Sequence, residues 1–470
     1  QSMKELAVAE DRLWSQYPRF MELANPRPVT VEDLQQKLLK PDEALLAYVL
    51  LPQETALFAV TRESFRLVVT GAKRADIAER VLRIRRAIEK VAAGESVLFL
   101  RDIRPETLHS LHADLIAPVA ALLSGKRKVF VVGDGPLHTI PFEFLVARFS
   151  AAERDAFDQA QRASDGSDAR PYLAEYAKLE YVGKQMHFAY LPSLSALASQ
   201  RLYPKSAAGA GTELVAFADP VFSAQAGATM PPQTLKLLAQ MDIGTVRAAG
   251  AAPEIPRLAE TADEAREIAG VRGGSAKLYF GSDAQEHTAK AGELRNARFV
   301  LFATHGFLGG EFLASDQPAE GDAPRPGGRP LAQPALALTL VGDLKGEDGL
   351  LTMKEVIEDL ELNAELVALS ACNTAGESVQ ANNGEGFAGL TRAFMYAGAK
   401  GLLVSHWSVD SRSAQALMTG TFRNIKQGMP ASDAISDAQQ KLIGTRYQSG
   451  AFHFSRAHPF FWAPFVYVGD

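Results

Sequence analysis

From about residue 276 onward, short and almost unbroken apolar runs alternate with stretches whose apolar positions recur every three or four residues. The runs are KLYFG, FVLFATHG, LVALSAC and GLLVSHW, and between them lie HTAKAGEL, TMKEVIEDL and GFAGLTRAFMYAG. An apolar run without polar alternation suits a strand buried on both faces, and a helix between successive strands is the crossover that parallel pairing requires. The pattern therefore predicts an α/β fold with a mostly parallel central sheet flanked by helices. Thr352 and Glu355 form a Thr-x-x-Glu capping box, which starts the helix TMKEVIEDL.

Upstream the pattern changes. LLAYVLL, TALFAVT and FRLVVT read as an antiparallel meander. An amphipathic stretch from Ala75 to Ala92, a second helix near 107–123 and the strand KVFVVGDG complete another α/β unit. Residues 150–170 are polar and poor in aromatics and are expected to form a mobile insertion, with FAYLPSLSAL as a connection. The strand ELVAFADP opens the second unit, an Ala/Gly/Pro-rich passage over roughly 222–256 interrupts it, and the helix ETADEAREIA follows. The expected division is a helical lead-in over 1–40, a first unit over 41–205 and a second over 206–470.

Net charge is −6, which offers no basic footprint for neutralising phosphates, so nucleic acid is not an expected partner. No apolar run reaches membrane-spanning length and the start lacks a basic and apolar leader, so no membrane association and a cytoplasmic location are expected. The opening Gln-Ser-Met reads as the start of a piece cut from a longer chain, with residues 1–40 the tail of an upstream helical region.

The chain has one cysteine, Cys372, which cannot close an intramolecular disulfide. A lone cysteine is ordinarily a small buried hydrophobe. Here it ends an apolar strand, as His305 ends another, and ligands of parallel sheets bind beyond the carboxyl ends of strands. Neighbouring strands lie about 4.8 Å apart, so two such tips can face each other. A thiol with its ordinary pKa becomes a useful nucleophile when an imidazole assists it. Gly306 beside the histidine, and Ser370, Ala371 and Asn373 beside the cysteine, are small enough to admit a substrate carbonyl. The amides of Gly306 and Cys372 are candidate oxyanion-hole donors. This chemistry fits several thiol-dependent acyl transfers.

The segments ATHGFLGG, LSACNTAGE, NNGEGFAGLTRAFMYAGAKGLLVSHWSVD and HPFFWAPFVYVGD narrow the choice, as do VVGDGPLHTIPFEFL and AFADPVF. Together, over roughly residues 40–470, they resemble the CHAT family, caspase-like peptidases often fused to tetratricopeptide repeats. The resemblance implies a cysteine endopeptidase acting on protein substrates, with His305 and Cys372 as the catalytic dyad and Gly306 supplying an oxyanion-hole amide. It also implies that the first unit is a degenerate caspase-like half, and that a regulatory protein or an upstream repeat region controls the activity. The alternatives are a catalytically silent interaction module of the same fold and a thiol hydrolase or transferase acting on a small acyl compound.

Asp410, Trp407 and Glu385 are the candidate substrate-binding residues. The segment HWSVDS borders, by resemblance, the pocket for the side chain before the scissile bond, where Asp410 would favour Arg or Lys. Asp410 equally suits the N-cap of the helix that follows. The family commonly carries Leu where His406 stands and Asp where Ser411 stands. His406 is expected to be a hydrogen-bonded structural histidine, as is His138 in the first unit. Glu385 begins the helix after the cysteine strand, where the helix dipole explains an acidic residue as well as a cleft does.

The pairs His109/His112 and His453/His458 lack companion ligands at metal-binding offsets, and no phosphate-binding glycine loop occurs. No metal or cofactor is expected. The Gly/Pro-rich loop from Leu308 to Pro334 is expected to cover the cleft.

Overall fold

The computed structural model describes residues 2–17, 21, 28–202, 211–223, 255–307, 334–370 and 385–470. The meander of the first unit is present as β1 (Glu43–Leu50), β2 (Thr55–Thr61) and β3 (Phe65–Thr70), paired antiparallel in that order. Two further strands, β4 (Lys128–Val132) and β5 (His187–Tyr190), extend the sheet parallel to β1. In the second unit β6 (Thr212–Pro220), β7 (Ala276–Gly281) and β8 (Ala297–Ala303) are parallel, with β6 in the middle.

After β8 the chain leaves the main sheet. β9 (His305–Phe307), β10 (Ala335–Ala337) and β11 (Leu350–Thr352) form a small antiparallel sheet in the order β11-β10-β9. β12 (Leu366–Leu369) then pairs parallel to β8, and β13 (Gly401–Ser405) parallel to β12. A hairpin of β14 (Arg446–Ser449) and β15 (Phe452–Ser455) precedes β16 (Phe465–Gly469), which runs antiparallel to β13. Among the described residues the main sheet has eleven strands in the order β3-β2-β1-β4-β5-β16-β13-β12-β8-β6-β7.

One apolar core runs through both sets of strands. In the second set the strands are sealed by aromatics: Phe217 on β6 stacks between Tyr279 on β7 and Phe302 on β8, at 5.0 and 5.3 Å. Burying each such ring is worth roughly 1.5–3 kcal/mol, which favours the order of β7, β6 and β8. The helix Glu260–Arg272 packs on β6 and against the helix Ser411–Lys426, which in turn packs on Ala431–Ile443. A buried ion pair ties the two sets together: Arg201 donates to Glu43 at the start of β1, at 2.7 and 2.8 Å, and also to Asp470 after β16.

Three expectations need correction. Residues 151–163 are not a mobile insertion but a helix, Ala151–Ala163, started by a reciprocal capping box of Ser150 and Glu153 and anchored by buried Phe157. Phe188, Ala189 and Tyr190 are not a connection but the buried residues of strand β5, whose four residues are too few to show a period. The strand ending in His305 is two strands: β8 stops at Ala303, and His305 begins β9 in the other sheet. The Thr352–Glu355 capping box is formed as expected and starts Met353–Glu358.

Candidate active site

The adjacency of β8 and β12 is direct, with Phe302 beside Leu369 in parallel register. His305 comes two residues after the end of β8. Cys372 comes three residues after the end of β12 and lies outside the described residues. The intervening Thr304 is fully buried, and its hydroxyl donates to the carbonyl of Ala337 on β10. Pairing of His305 with Ala337 and of Gly306 with Leu336 completes the anchorage. The histidine is thus delivered from the sheet end by a strand that changes partners.

The His305 ring packs against Phe222, with centroids 5.1 Å apart. Its Nε2 lies 2.8 Å from the carbonyl oxygen of Pro256. A carbonyl only accepts, so Nε2 carries the hydrogen and Nδ1 presents a lone pair. Burial lowers the imidazole pKa below its ordinary value, opposed by the Pro256 carbonyl and by the nearby Glu260 carboxylate. The neutral ring is therefore the resting form at neutral pH.

Pro256 is itself clamped. The next residue, Arg257, makes a two-pronged pair with Asp219, Nε to Oδ1 at 2.7 Å and Nη2 to Oδ2 at 2.6 Å. Asp219 sits at the end of β6 with φ 49°, a left-handed conformation that aspartate tolerates better than most residues. Its amide donates to the hydroxyl of Thr261, 2.8 Å away. Planar guanidinium and carboxylate groups joined by two parallel bonds fix direction as well as distance. The clamp thereby aims a carbonyl at the histidine. Neither Pro256 nor Arg257 carries a sequence signal for this role, whereas Asp219 lies in the AFADPVF segment.

A second unanticipated group is Glu264, on the helix Glu260–Arg272. It is 3% exposed, and burial raises its pKa to about 7. The hydroxyl of Ser370, the residue directly after β12, donates to its carboxyl. Its Oε1 has no hydrogen-bond partner among the described residues.

The candidate substrate residues fall in different settings. Asp410 caps the helix Ser411–Lys426: its Oδ1 accepts from the Ser413 amide at 3.1 Å and lies 3.9 Å from Arg456 Nη2. Its Oδ2 is buried without a hydrogen-bond partner among the described residues. Trp407 is 2% exposed, donates from Nε1 to the Phe460 carbonyl at 2.9 Å and faces the ring of Phe144. It is packed into the wall, with almost no surface open to a substrate. Glu385 is the first residue of the helix Glu385–Ala397, and its side chain lies outside the described set. His406 is buried between Tyr190 and Trp407, and its carbonyl accepts from Arg85 at 2.6 Å. Arg85 belongs to the helix Arg74–Ala92, so the first set of strands and helices braces the wall beside the second. The expected covering loop after His305 lies outside the described residues apart from its last position, Pro334.

The carboxylates of Glu286, Glu347 and Glu355 converge to within metal-ligand distances of one another. Lys290 sits among them, with Nζ 2.9 Å from Glu347 and 2.8 Å from Glu355, so an ammonium already balances the cluster. Among the described residues no helix is long and apolar enough to cross a membrane.

Comparison with known proteins places this geometry in a family. The CHAT domain model matches residues 105–470, beginning within the first unit rather than near residue 40 as the motifs suggested. Tetratricopeptide repeat protein 28 of Homo sapiens is 33% identical over 121 residues, a stretch that is 26% of this chain and 4% of the relative. The Mus musculus protein of the same name is 32% identical over the same length. Among solved structures, the Saccharomyces cerevisiae separase–securin complex aligns at TM-score 0.47 and 11% identity, covering 93% of this chain and 31% of that one. The Arg-specific cysteine proteinase gingipain R aligns at TM-score 0.36 and 9% identity, covering 84% and 74%. The chain belongs to the CHAT domain family and has an α/β fold, a mostly parallel sheet flanked by helices.

Proposed function

We propose that this chain is a cysteine endopeptidase in which Cys372 is the nucleophile and His305 the acid–base group. The observation that carries the reading is the pairing of β8 with β12, one leading to His305 in two residues and the other to Cys372 in three. Three residues of extended chain reach about 10 Å at most, which supports a shared cleft for the two side chains.

In the reaction, the Cys372 thiol passes its proton to Nδ1 of His305, the sulfur attacks the peptide carbonyl carbon, a C–S bond forms, and the electron pair moves to oxygen. The amides of Gly306 and Cys372 receive that oxyanion. As the pair returns, the C–N bond breaks and His305 protonates the departing amine. Water then attacks the thioester, His305 takes its proton, the C–S bond breaks to free the acid, and His305 returns the proton to the sulfur. The Pro256 carbonyl supports this role, because it holds the Nε2–H tautomer and leaves Nδ1 for proton transfer.

The first unit is proposed to be a degenerate caspase-like half. Its β4 and β5 lie beside β1 in the order that β8 and β12 lie beside β6. His138 follows β4 as His305 follows β8, but β5 is followed by Leu191, Pro192 and Ser193, with no thiol. The unpartnered Oδ2 of Asp410 supports a preference for Arg or Lys before the scissile bond, and Trp407 would back that pocket from within the wall. Protein substrates and a cytoplasmic setting complete the proposal. The name shared by the two relatives supports an upstream repeat region, or a separate regulatory protein, as the controlling partner.

Incubating the chain with peptide libraries, beside Cys372→Ala and His305→Ala, tests the reading. Cleavage is expected from the native chain and absent from both variants, which should melt as the native chain does. Cleavage retained by Cys372→Ala would overturn it, and no cleavage by any form would favour a silent interaction module.

A further inference from the structure

One end of the main sheet is left open, with six strands between it and β12. β3 is the last strand there, and among the described residues no strand pairs with its free side. Phe65, Leu67 and Val69 lie on one face of β3, 43, 51 and 54% exposed. The apolar surface continues inward on that face: Leu67 pairs with Phe58, Val69 with Ala56, and Ala56 in turn with Val49, itself 42% exposed. Edge strands are ordinarily guarded by lysine, proline, a bulge or a covering element, because an open ladder recruits another strand. β3 has no lysine, proline or bulge, and its single charge, Arg66, stands on the opposite face.

The hydrogen-bond phase of this edge is fixed. The Thr61 amide donates to the Ser64 carbonyl at 2.8 Å, so these two residues are a bonded pair of the ladder between β2 and β3. Bonded and non-bonded pairs alternate along antiparallel strands. Arg66, Val68 and Thr70 therefore bond inward to Ala59, Leu57 and Thr55, whereas the amides and carbonyls of Phe65, Leu67 and Val69 point outward. The residues with exposed apolar side chains are the same ones whose backbone groups face the open side.

We propose that β3 is a dimerisation edge, pairing antiparallel with β3 of a second copy of this chain about a two-fold axis through Leu67. In that register Leu67 meets Leu67 of the second copy, and Phe65 meets Val69 in both directions. All three pairs are of the bonded kind, which gives about six backbone hydrogen bonds across the axis. Facing residues of an antiparallel pair share a face, so the two apolar rows join. On the other face Arg66 meets Val68, and no like charges are opposed. The segment FRLVVT is thus complementary to itself, which favours a second copy over an unrelated strand. A two-fold contact uses the same patch on both copies and closes at the dimer. It is smaller than a standard interface, so association is reversible, with a dissociation constant on the order of 10 µM. Dimerisation is independent of whether the chain cleaves peptides.

Sedimentation velocity of the full chain between about 1 and 300 µM, combined with hydrogen exchange resolved to single amides, tests the proposal. The native chain should pass from monomer to dimer across the series and form nothing larger. At the high end the amides of Phe65, Leu67 and Val69 should exchange several-fold more slowly than at the low end, while those of Arg66, Val68 and Thr70, already bonded to β2, should change less. Leu67→Lys sets two ammonium groups against each other at the axis and should remain monomeric throughout, melting as the native chain does. Val49→Lys, on the same apolar face but two strands in from the edge, should dimerise as the native chain does.

A chain that stays monomeric to about 300 µM overturns the proposal, as does a dimer that leaves the three amides unprotected or survives Leu67→Lys. Loss of the dimer in Val49→Lys would assign the contact to the open face rather than the edge, and overturns it too. Protection of the three amides only when a tetratricopeptide-repeat segment is added would give the edge to that segment and overturn the second-copy reading. If Leu67→Lys fails to fold, the alternating exchange pattern of the native chain decides alone.

Discussion

The two sets of parallel strands in this sheet end in opposite ways. Beyond β4 and β5 the chain is plugged. The segment Phe142–Phe144 is buried, the Phe142 amide donates to the Tyr190 hydroxyl at 2.6 Å, and that hydroxyl donates to Glu143, also at 2.6 Å. The Phe142 ring sits 5.5 Å from Tyr48 and 6.1 Å from Phe188. Beyond β8 and β12, by contrast, His305 is half-buried with Nδ1 unengaged in the described contacts, and Glu264 and Asp410 each keep an oxygen without a hydrogen-bond partner among the described residues. Buried side-chain atoms without a hydrogen-bond partner also occur in the first unit, Glu106 Oε2, His112 Nδ1 and Glu175 Oε2 among them, so the contrast rests on the packed plug and on the open histidine. The first set shows what the same ground plan becomes when it is filled in. Through Arg85 it also lends rigidity to the wall of the other.

The clamp on Pro256 is where this contrast breaks most visibly. Asp219→Ala removes both bonds to Arg257 and frees the carbonyl that orients His305. A misplacement of about 1 Å near reacting atoms can cost about a hundredfold in rate. The expected result is a fall of that order in kcat with KM little changed, measured on the best substrate from a peptide library. Arg257, whose side chain is 54% exposed, is rehydrated once released, so denaturant melts should move far less than kcat. Unchanged kcat would mean that His305 is held by β9 alone.

The pH dependence of folding separates the two buried carboxyls next. Burial raises Glu143 to about 7 from an ordinary 4.5, with the Tyr190 hydroxyl opposing the rise. The folded form therefore holds its proton more tightly than the unfolded form does. Stability from this group is greatest below about pH 4.5 and is lost as pH climbs to about 7. At about 1.4 kcal/mol for each pH unit between those two values, the span is on the order of 3 kcal/mol at most. Glu143→Gln should flatten the stability profile between pH 5 and 8 without altering the alkylation rate of Cys372. A changed alkylation rate would show that the plugged half is coupled to the open one.

Much of the second set was legible in the sequence, because strands buried on both faces leave long apolar runs and their crossover helices leave a regular beat between them. The capping box at Thr352 needed only four residues to be read. What escaped notice did so for local reasons. The strand β5 spans four residues before Leu191 and Pro192, too few to establish a period. The helix Ala151–Ala163 is so polar that composition outweighed its Ser-x-x-Glu start. At the site, His305 and Cys372 stood out because few side chains can do thiol chemistry. The Pro256 carbonyl has no side-chain signature at all. Glu264 stands among Glu260, Asp263 and Glu267 on one helix, and only packing singles it out as the one turned inward. Asp410 was readable in two ways, and its two oxygens now divide between them.

That division supports the smallest of the expected effects. Oδ1 of Asp410 serves the helix by accepting from the Ser413 amide, while Oδ2 is left over. Asparagine caps a helix about as well as aspartate but carries no charge, whereas alanine does neither. Asp410→Ala should therefore lose about 1 kcal/mol of stability, typical for a lost N-cap, and Asp410→Asn only a few tenths. If Oδ2 forms the floor of a basic pocket, both variants should lose the same share of kcat/KM on substrates with Arg or Lys before the scissile bond, and neither should lose it on neutral ones. If the residue only caps, the loss should follow stability, appear in Asp410→Ala alone and ignore substrate charge. Arg456, 3.9 Å from Oδ1, already offsets part of the negative charge, so the discrimination expected of the pocket is a few-fold rather than a few hundred-fold.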